Sequence, residues 1–321
     1  MRCWSVRFAV ALALVGLGLS IYARFFYAPA LAEPERFVDD HGRLPTAEEF
    51  EALAASDPVK MYDACLKRFQ REVKGGFRAT LIKRERVHGE PKPPEDPPEE
   101  VIRLAVRGDV PDSETGKSQI EVSMKWQSGP RKDFLGSEIW ATLYSERPGK
   151  DGTGGAVVTW RPHALIRPVT PVPVNGSLAQ GQSRYCIRDA GHYGGMHRTF
   201  LAWENRRKAG TLKTEYLGKQ VIEKVGGRLC YVVRRHCDSP EVDPFERGGA
   251  ADTSPSNVAK VGFTSVTVMI DCESWLQVGT ELQRTGPDGK PILIASYYFR
   301  DIELNPKFEP DTFTEAGLSR K

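Results

Sequence analysis

Four side chains able to act as nucleophile, base or metal ligand fall in one short stretch: Cys186, Asp189, His192 and His197. A cysteine beside a histidine base is the arrangement of nucleophilic catalysis, and Cys186 with the two histidines is also a donor set for a transition metal. The spacing puts no two of them on one helical face, and Gly191, Gly194 and Gly195 interrupt the run. The stretch therefore reads as a glycine-rich turn with solvated histidines, in which Tyr193-Gly194-Gly195 is either the hinge of a lid or simply a turn. Carboxylates pair at Asp271 with Glu273 and at Asp301 with Glu303, at strand ends where turn and edge roles account for them. No nucleophile elbow, Walker-type loop, His-Glu-x-x-His or EF-hand pattern occurs. The expectation is a protein that is not an enzyme and uses neither metal nor cofactor.

Tryptophans are the other candidates. Trp126, Trp140, Trp160, Trp203 and Trp275 are numerous enough to line a cavity, and equally able to fill a core. The 321 residues hold 40% hydrophobic and 27% charged side chains, the balance of a soluble globular protein. A net charge of +3, evenly interspersed, excludes a nucleic-acid binder; Arg206-Arg207-Lys208 and Arg234-Arg235-His236 read as solvated faces.

The N-terminus reads as an export signal. Arg2 and Arg7 precede an apolar run at residues 8–23, and Ala30-Leu31-Ala32 supplies small residues for cleavage after Ala32. An uncleaved anchor over residues 8–27 is the alternative, although Arg24 shortens any spanning helix. Cys3 precedes the apolar run and so is not an acylated lipoprotein cysteine. The protein is thus expected in the periplasm or cell envelope, close to a membrane. After cleavage five cysteines remain: Cys65, Cys186, Cys230, Cys237 and Cys272. An oxidising compartment favours disulfides, and an odd count leaves one thiol over. A bridge is expected among Cys230, Cys237 and Cys272, which lie in or beside strands expected to be neighbours.

The elements that must position these residues follow from periodicity. Residues 33–56 form a mobile, Pro-containing leader with a short helix opened by Thr46 and Glu49, a capping box. Asp57-Pro58 opens a better helix, with Val59, Tyr62, Leu66, Phe69 and Val73 in one stripe and Gly75-Gly76 as its stop. From Phe77 the period becomes two: Phe77, Ala79 and Leu81; then Ile102, Leu104 and Val106; then Ile120, Val122, Met124 and Trp126; then Ile139, Ala141 and Leu143; and a fifth strand at residues 156–161. A Pro-rich loop at residues 90–100 and a crossing loop at 162–182 punctuate this meander. A helical insertion at about 185–209 follows, then about five more strands, with a polar loop at 238–257 among them. The whole predicts an α+β fold, mainly antiparallel: one strongly curved sheet, an unclosed barrel, with helices packed in its mouth over residues 57–318.

The closing strands carry a resemblance. Ile270-Asp271, Leu276, Asp288-Gly289, Tyr298, Asp301-Ile302, Leu304-Asn305, Phe308 and Phe313 resemble the end of the bacterial lipoprotein carrier superfamily, the LolA/LolB-like folds. Taken whole, the chain resembles a family of secreted bacterial proteins of unknown function placed beside those carriers. Val122-x-Met124-Lys125-Trp126, Gly136-x-Glu138-Ile139, Ser183-Arg184-Tyr185-x-Ile187-x-Asp189-x-Gly191 and Gly227-x-x-Cys230 carry that second resemblance. The resemblance to the carriers implies a non-catalytic protein that buries a lipid or an acylated lipoprotein in the curved sheet. The candidate lining is Val122, Met124, Trp126, Met196, Phe200, Trp203, Tyr297 and Phe299. The alternative is a structural or interaction module with a filled core, whose envelope partner meets the loops at 90–100 or 238–257.

Overall fold

Thr46 and Glu49 exchange bonds as a capping box: the Glu49 amide donates to Thr46 Oγ1 (3.3 Å), and the Thr46 amide to Glu49 Oε2 (2.7 Å). They open α1 (Ala47–Ser56). Asp57 Oδ1 then accepts from the Lys60 amide at 3.1 Å, and Pro58 supplies a preset first turn for α2 (Pro58–Glu72). The predicted stripe Val59, Tyr62, Leu66 and Phe69 is buried, and so is Val73. Burying side chains of this size contributes about 1.5–3 kcal/mol each. The computed structural model describes residues 43–87, 96–112, 118–132, 136–146, 156–162, 169–174 and 183–319. The expected signal run, its cleavage site, the first part of the leader and most of the Pro-rich loop lie outside the described residues. No described helix is long and apolar enough to cross a membrane.

Among the described residues eleven strands form one antiparallel sheet that does not close. In chain order they are β1 (Phe77–Glu85), β2 (Glu99–Arg107), β3 (Glu121–Ser128), β6 (Ala141–Ser145), β7 (Ala156–Trp160), β8 (Val169–Pro173), β9 (Lys213–Ile222), β10 (Arg228–Glu241), β11 (Phe263–Asp271), β12 (Gln277–Thr285) and β13 (Pro291–Leu304). A separate ribbon pairs β4 (Arg131–Lys132) with β5 (Glu138–Ile139). The spatial order is β8-β7-β6-β3-β2-β1-β13-β12-β11-β10-β9, so the first strand pairs with the last and the sheet curves around that seam. Register shifts between Arg78 and Thr80, Tyr231 and Val233, and Leu282 and Gln283 are bulges, which bend and twist a sheet. One edge, β9, is lined by exposed Lys213, Glu215 and Lys219; the other, β8, carries Pro171 and Pro173. Both compositions block further strand pairing.

On the sheet's concave side lies α3 (His192–Lys208), packed against α2. The rings of Tyr62 and Trp203 meet edge to face at 5.2 Å between them. Two shorter α-helices follow among the described residues, α4 (Pro255–Val261) and α5 (Glu315–Leu318). Strand β13 is covered on both sides: Tyr297 and Phe299 face the interior, while the turn Glu223–Val225 lies over the opposite face. There Lys224 Nζ reaches the Tyr298 hydroxyl at 3.1 Å.

Among the elements and thiols, four expectations need correction. The crossing loop at 162–182 contains β8, because an edge strand tolerates prolines that a central one would not. Gly194 and Gly195 do not interrupt the helix; they sit in the first turn of α3, where Asp109 holds the backbone. Ala141 and Leu143 pack outward under Leu318, whereas Ile139 belongs to the β4–β5 ribbon and faces the interior. The expected bridge among Cys230, Cys237 and Cys272 is not formed, and the five described cysteines are thiols. Cys230 and Cys237 are seven positions apart on one extended strand, roughly 23 Å at ~3.3 Å per residue, beyond any disulfide. Cys230 stands opposite Asp271 in the ladder, so Cys272 follows on the alternate face.

Candidate functional site

The ladder register writes the concave face as rows across the strands. One row runs Arg235, Val266, Leu282, Ala295, Glu85. The next runs Val233, Val268, Thr280, Tyr297, Lys83, Glu100. Beyond it come Phe299, Leu81, Ile102 and Trp126, then Leu104, Met124 and Thr142. Charge therefore sits at one end of the strands and apolar surface follows from it. Over these rows α3 lays Met196, Thr199, Trp203 and Arg206, again apolar first and cationic last. A cavity of about 370 Å³ lies between helix and sheet, within the range of small-molecule sites.

The charged end is built of buried ion clusters. Glu85 accepts from Tyr297 Oη at 2.7 Å and Ser183 Oγ at 2.9 Å, and pairs with Arg131 and, at 3.3 Å, Lys83. Glu100 accepts from Arg131 Nε at 2.8 Å and Trp126 Nε1 at 2.7 Å. Two carboxylates thus face two cations. Burial alone would push the Glu85 carboxyl up; Lys83 and Arg131, with the Tyr297 and Ser183 hydroxyls, instead hold it at about 2. Nearby, Arg184 is buried, pairs with Glu246, and donates to the carbonyls of Arg86 (3.3 Å) and Val261 (3.0 Å). A further cluster joins Arg235 and Arg206 to the same Glu241 carboxylate.

Asp109, from the loop after β2, fixes where α3 begins. Its carboxylate accepts the amides of Tyr193 (2.7 Å) and Gly194 (3.2 Å), donors that a helix N-terminus leaves unpaired. Gly191 admits it: a Cβ there would lie 2.0 Å from Asp109 Oδ1. Burial pushes the Asp109 carboxyl up to about 6, against those two amides and Arg198.

Comparison with solved structures finds similar chains. The chain is similar to a DUF1329 family protein from Desulfovibrio piger, with 10% identity and a TM-score of 0.37, over 82% of this chain and 100% of that one. It is also similar to a LolA superfamily protein from Nitrosomonas europaea, with 9% identity and a TM-score of 0.30, over 79% of this chain and 98% of that one. No protein-family model and no curated protein matches the chain.

Of the eight candidate lining residues, Met124, Trp126, Met196, Trp203, Tyr297 and Phe299 line the cavity. Val122 shares the face of Met124 but is fully buried beyond it, and Phe200 stacks on His197 instead. The four residues with catalytic chemistry do not converge. His192 is not solvated: it is 2% exposed between Phe77 and Phe299, with ring centroids 4.4 and 4.5 Å away. Burial lowers it to about 3, against a bond to the Gln277 backbone, so the imidazole is neutral. His197 stacks between Tyr193 and Phe200, and burial with Arg198 lowers it to about 4. Burial, with Asp189, raises the Cys186 thiol, the opposite of what a nucleophile needs. Among the described residues no group of three or more His, Cys, Asp or Glu side chains is placed to hold a metal. Sequence reasoning missed Lys83, Glu85 and Glu100, and it placed Arg235 on a solvated face, whereas Arg235 is buried and lines the cavity. The signal was present: Phe77, Ala79, Leu81, Lys83 and Glu85 keep one alternation, so charges follow apolar residues onto the inner face.

Proposed function

We propose that the protein is a non-catalytic, exported envelope protein that binds an apolar ligand, a lipid or the acyl part of a lipoprotein, in the cavity between α3 and the curved sheet. The observation that carries this reading is the run of apolar rows leading away from one charged end, beneath Met196 and Trp203. Burial at ~0.8 kcal/mol per methylene gives a chain of roughly ten methylenes ~8 kcal/mol, enough for binding without specific polar contacts. The neutral histidines and the raised Cys186 thiol support a binding role over a catalytic one. An export signal would deliver the protein to the periplasm or cell envelope, where such ligands occur.

The test is displacement of a fluorescent fatty-acid probe from delipidated protein, with native mass spectrometry of the protein as purified. Trp126 and Trp203 line the cavity, so chain binding also changes tryptophan emission. Leu282→Trp, which fills the cavity beside Val266, is expected to weaken probe binding about tenfold or more while the protein stays folded. No co-purifying lipid, no probe binding and no effect of that substitution would overturn the reading and leave an interaction module.

A further inference from the structure

We infer that the charged end of the cavity holds a subsite for one acidic group, formed by Arg235 on β10 and Arg206 on α3, and that the ligand is an anionic amphipath. This rests on the cavity-binding reading above and specifies its ligand. Arg235 is 5% exposed, at an inward position of β10, and lines the cavity. Its Nη2 donates to Glu241 Oε1 at 2.8 Å, but its Nε has no hydrogen-bond partner among the described residues. A buried cationic donor left unpaired is costly and asks for an acceptor. Arg206 takes the other oxygen of Glu241, so two guanidinium groups share one carboxylate.

The neighbouring clusters differ in this respect. Lys83 and Arg131 face Glu85 and Glu100, cation for anion, while Arg184 faces Glu246 with Asp243, which accepts from the Tyr185 hydroxyl, beside it. Only the pairing of Arg206 and Arg235 with Glu241 is one negative charge short among these three. Guanidinium forks match carboxylate and phosphate oxygens geometrically, and Phe263, 5.8 Å from Arg235 Cζ, packs against the group. The register then places the chain. Arg235 shares its row with Val266 and Leu282, and the rows beyond lead through Thr280 and Val268 to Phe299. An acidic group at the two arginines therefore leaves its attached chain on apolar surface.

The experiment measures displacement of the fluorescent probe from the full chain by dodecanoate, dodecyl phosphate, dodecanol and inorganic phosphate. The wild type is expected to prefer both acids over dodecanol by about tenfold or more, while inorganic phosphate alone displaces nothing. In Arg235→Met the acid-to-alcohol ratio falls toward one. Arg206, whose side chain is 42% exposed, provides Arg206→Met as a second variant that folds even where the first does not, with the same loss of preference expected. Dodecanol binding as tightly as the acids overturns the subsite and leaves the cavity reading standing. Failure of every chain to bind overturns the cavity reading itself. Inorganic phosphate competing as well as dodecyl phosphate overturns the amphipath in favour of a free anion.

Discussion

Asn305 closes the corner that joins α2 to β1, donating its backbone N–H to the Gly76 carbonyl at 2.8 Å. Its side chain works on the same corner. Oδ1 accepts the amides of Lys74 (2.7 Å) and Gly75 (2.8 Å), and Nδ2 donates to the Glu72 carbonyl at 2.8 Å. A residue at the end of the last strand thus caps the helix before the first one. Asn305→Ala is expected to cost about 1–2 kcal/mol in urea unfolding, and Asn305→Asp more, because it loses a donor and sets a negative charge at a helix C-terminus. Equal stability of all three proteins would refute the capping role.

The two glycines of that corner are not equivalent. Gly76 has φ +97°, and a Cβ on it would lie 2.1 Å from the Val106 carbonyl oxygen. At Gly75 the nearest atom to such a Cβ is 3.5 Å away, an ordinary contact. Gly76→Ala should destabilise by about 2 kcal/mol or more, whereas Gly75→Ala should stay within about 0.5 kcal/mol of wild type. Thermal unfolding of the two variants side by side decides it; similar losses would show that chain entropy, not the left-handed backbone and the clash, governs this corner.

Acid should find Glu85. An unfolded glutamate titrates near 4.5 and the folded one at about 2, so its contribution is complete above pH 4.5 and is lost as pH falls through 2. At ~1.4 kcal/mol per pH unit of difference this is roughly 3 kcal/mol. Glu85→Gln should flatten the acid limb of a stability–pH curve and lower stability at neutral pH, where Lys83 and Arg131 lose one of their two carboxylates. An unchanged acid limb would mean that other carboxylates carry it.

The parts of the fold legible in sequence are those fixed locally. Thr46, Glu49, Asp57 and Pro58 are capping chemistry and state where two helices begin, and the alternation of Phe77, Ala79 and Leu81 is a strand with one apolar face. Lys83 and Glu85 continue that face, yet period-two charges read as solvated until Glu100, Arg131 and Tyr297 arrive from three other strands. The start of α3 is hidden for the same reason: glycines forbid it locally, and Asp109 from a distant loop permits it. The closing motif is legible, but its meaning changes. Asp301 and Asn305 both have φ of 54°, and Asn305 serves the α2–β1 corner rather than the cavity.

Asp109 gives the opposite pH response from Glu85. Its unfolded value is near 3.8 and burial raises the folded one to about 6. Its stabilising contribution is therefore complete below pH 3.8 and declines as pH rises through 6, because the unfolded chain ionises first. Asp109→Asn removes that titration while keeping an oxygen acceptor for the α3 amides. The informative quantity is the stability of wild type minus that of the variant, followed from pH 4 to pH 7 by urea unfolding. That difference should fall by roughly 2 kcal/mol across the range, whatever constant cost the amide adds. Asp109→Ala, which removes the cap altogether, should cost about 1–2 kcal/mol at pH 4 and also loosen α3 over the cavity. A difference between wild type and Asp109→Asn that is flat with pH, or that rises, would show that the Tyr193 and Gly194 amides and Arg198 outweigh burial at this carboxylate.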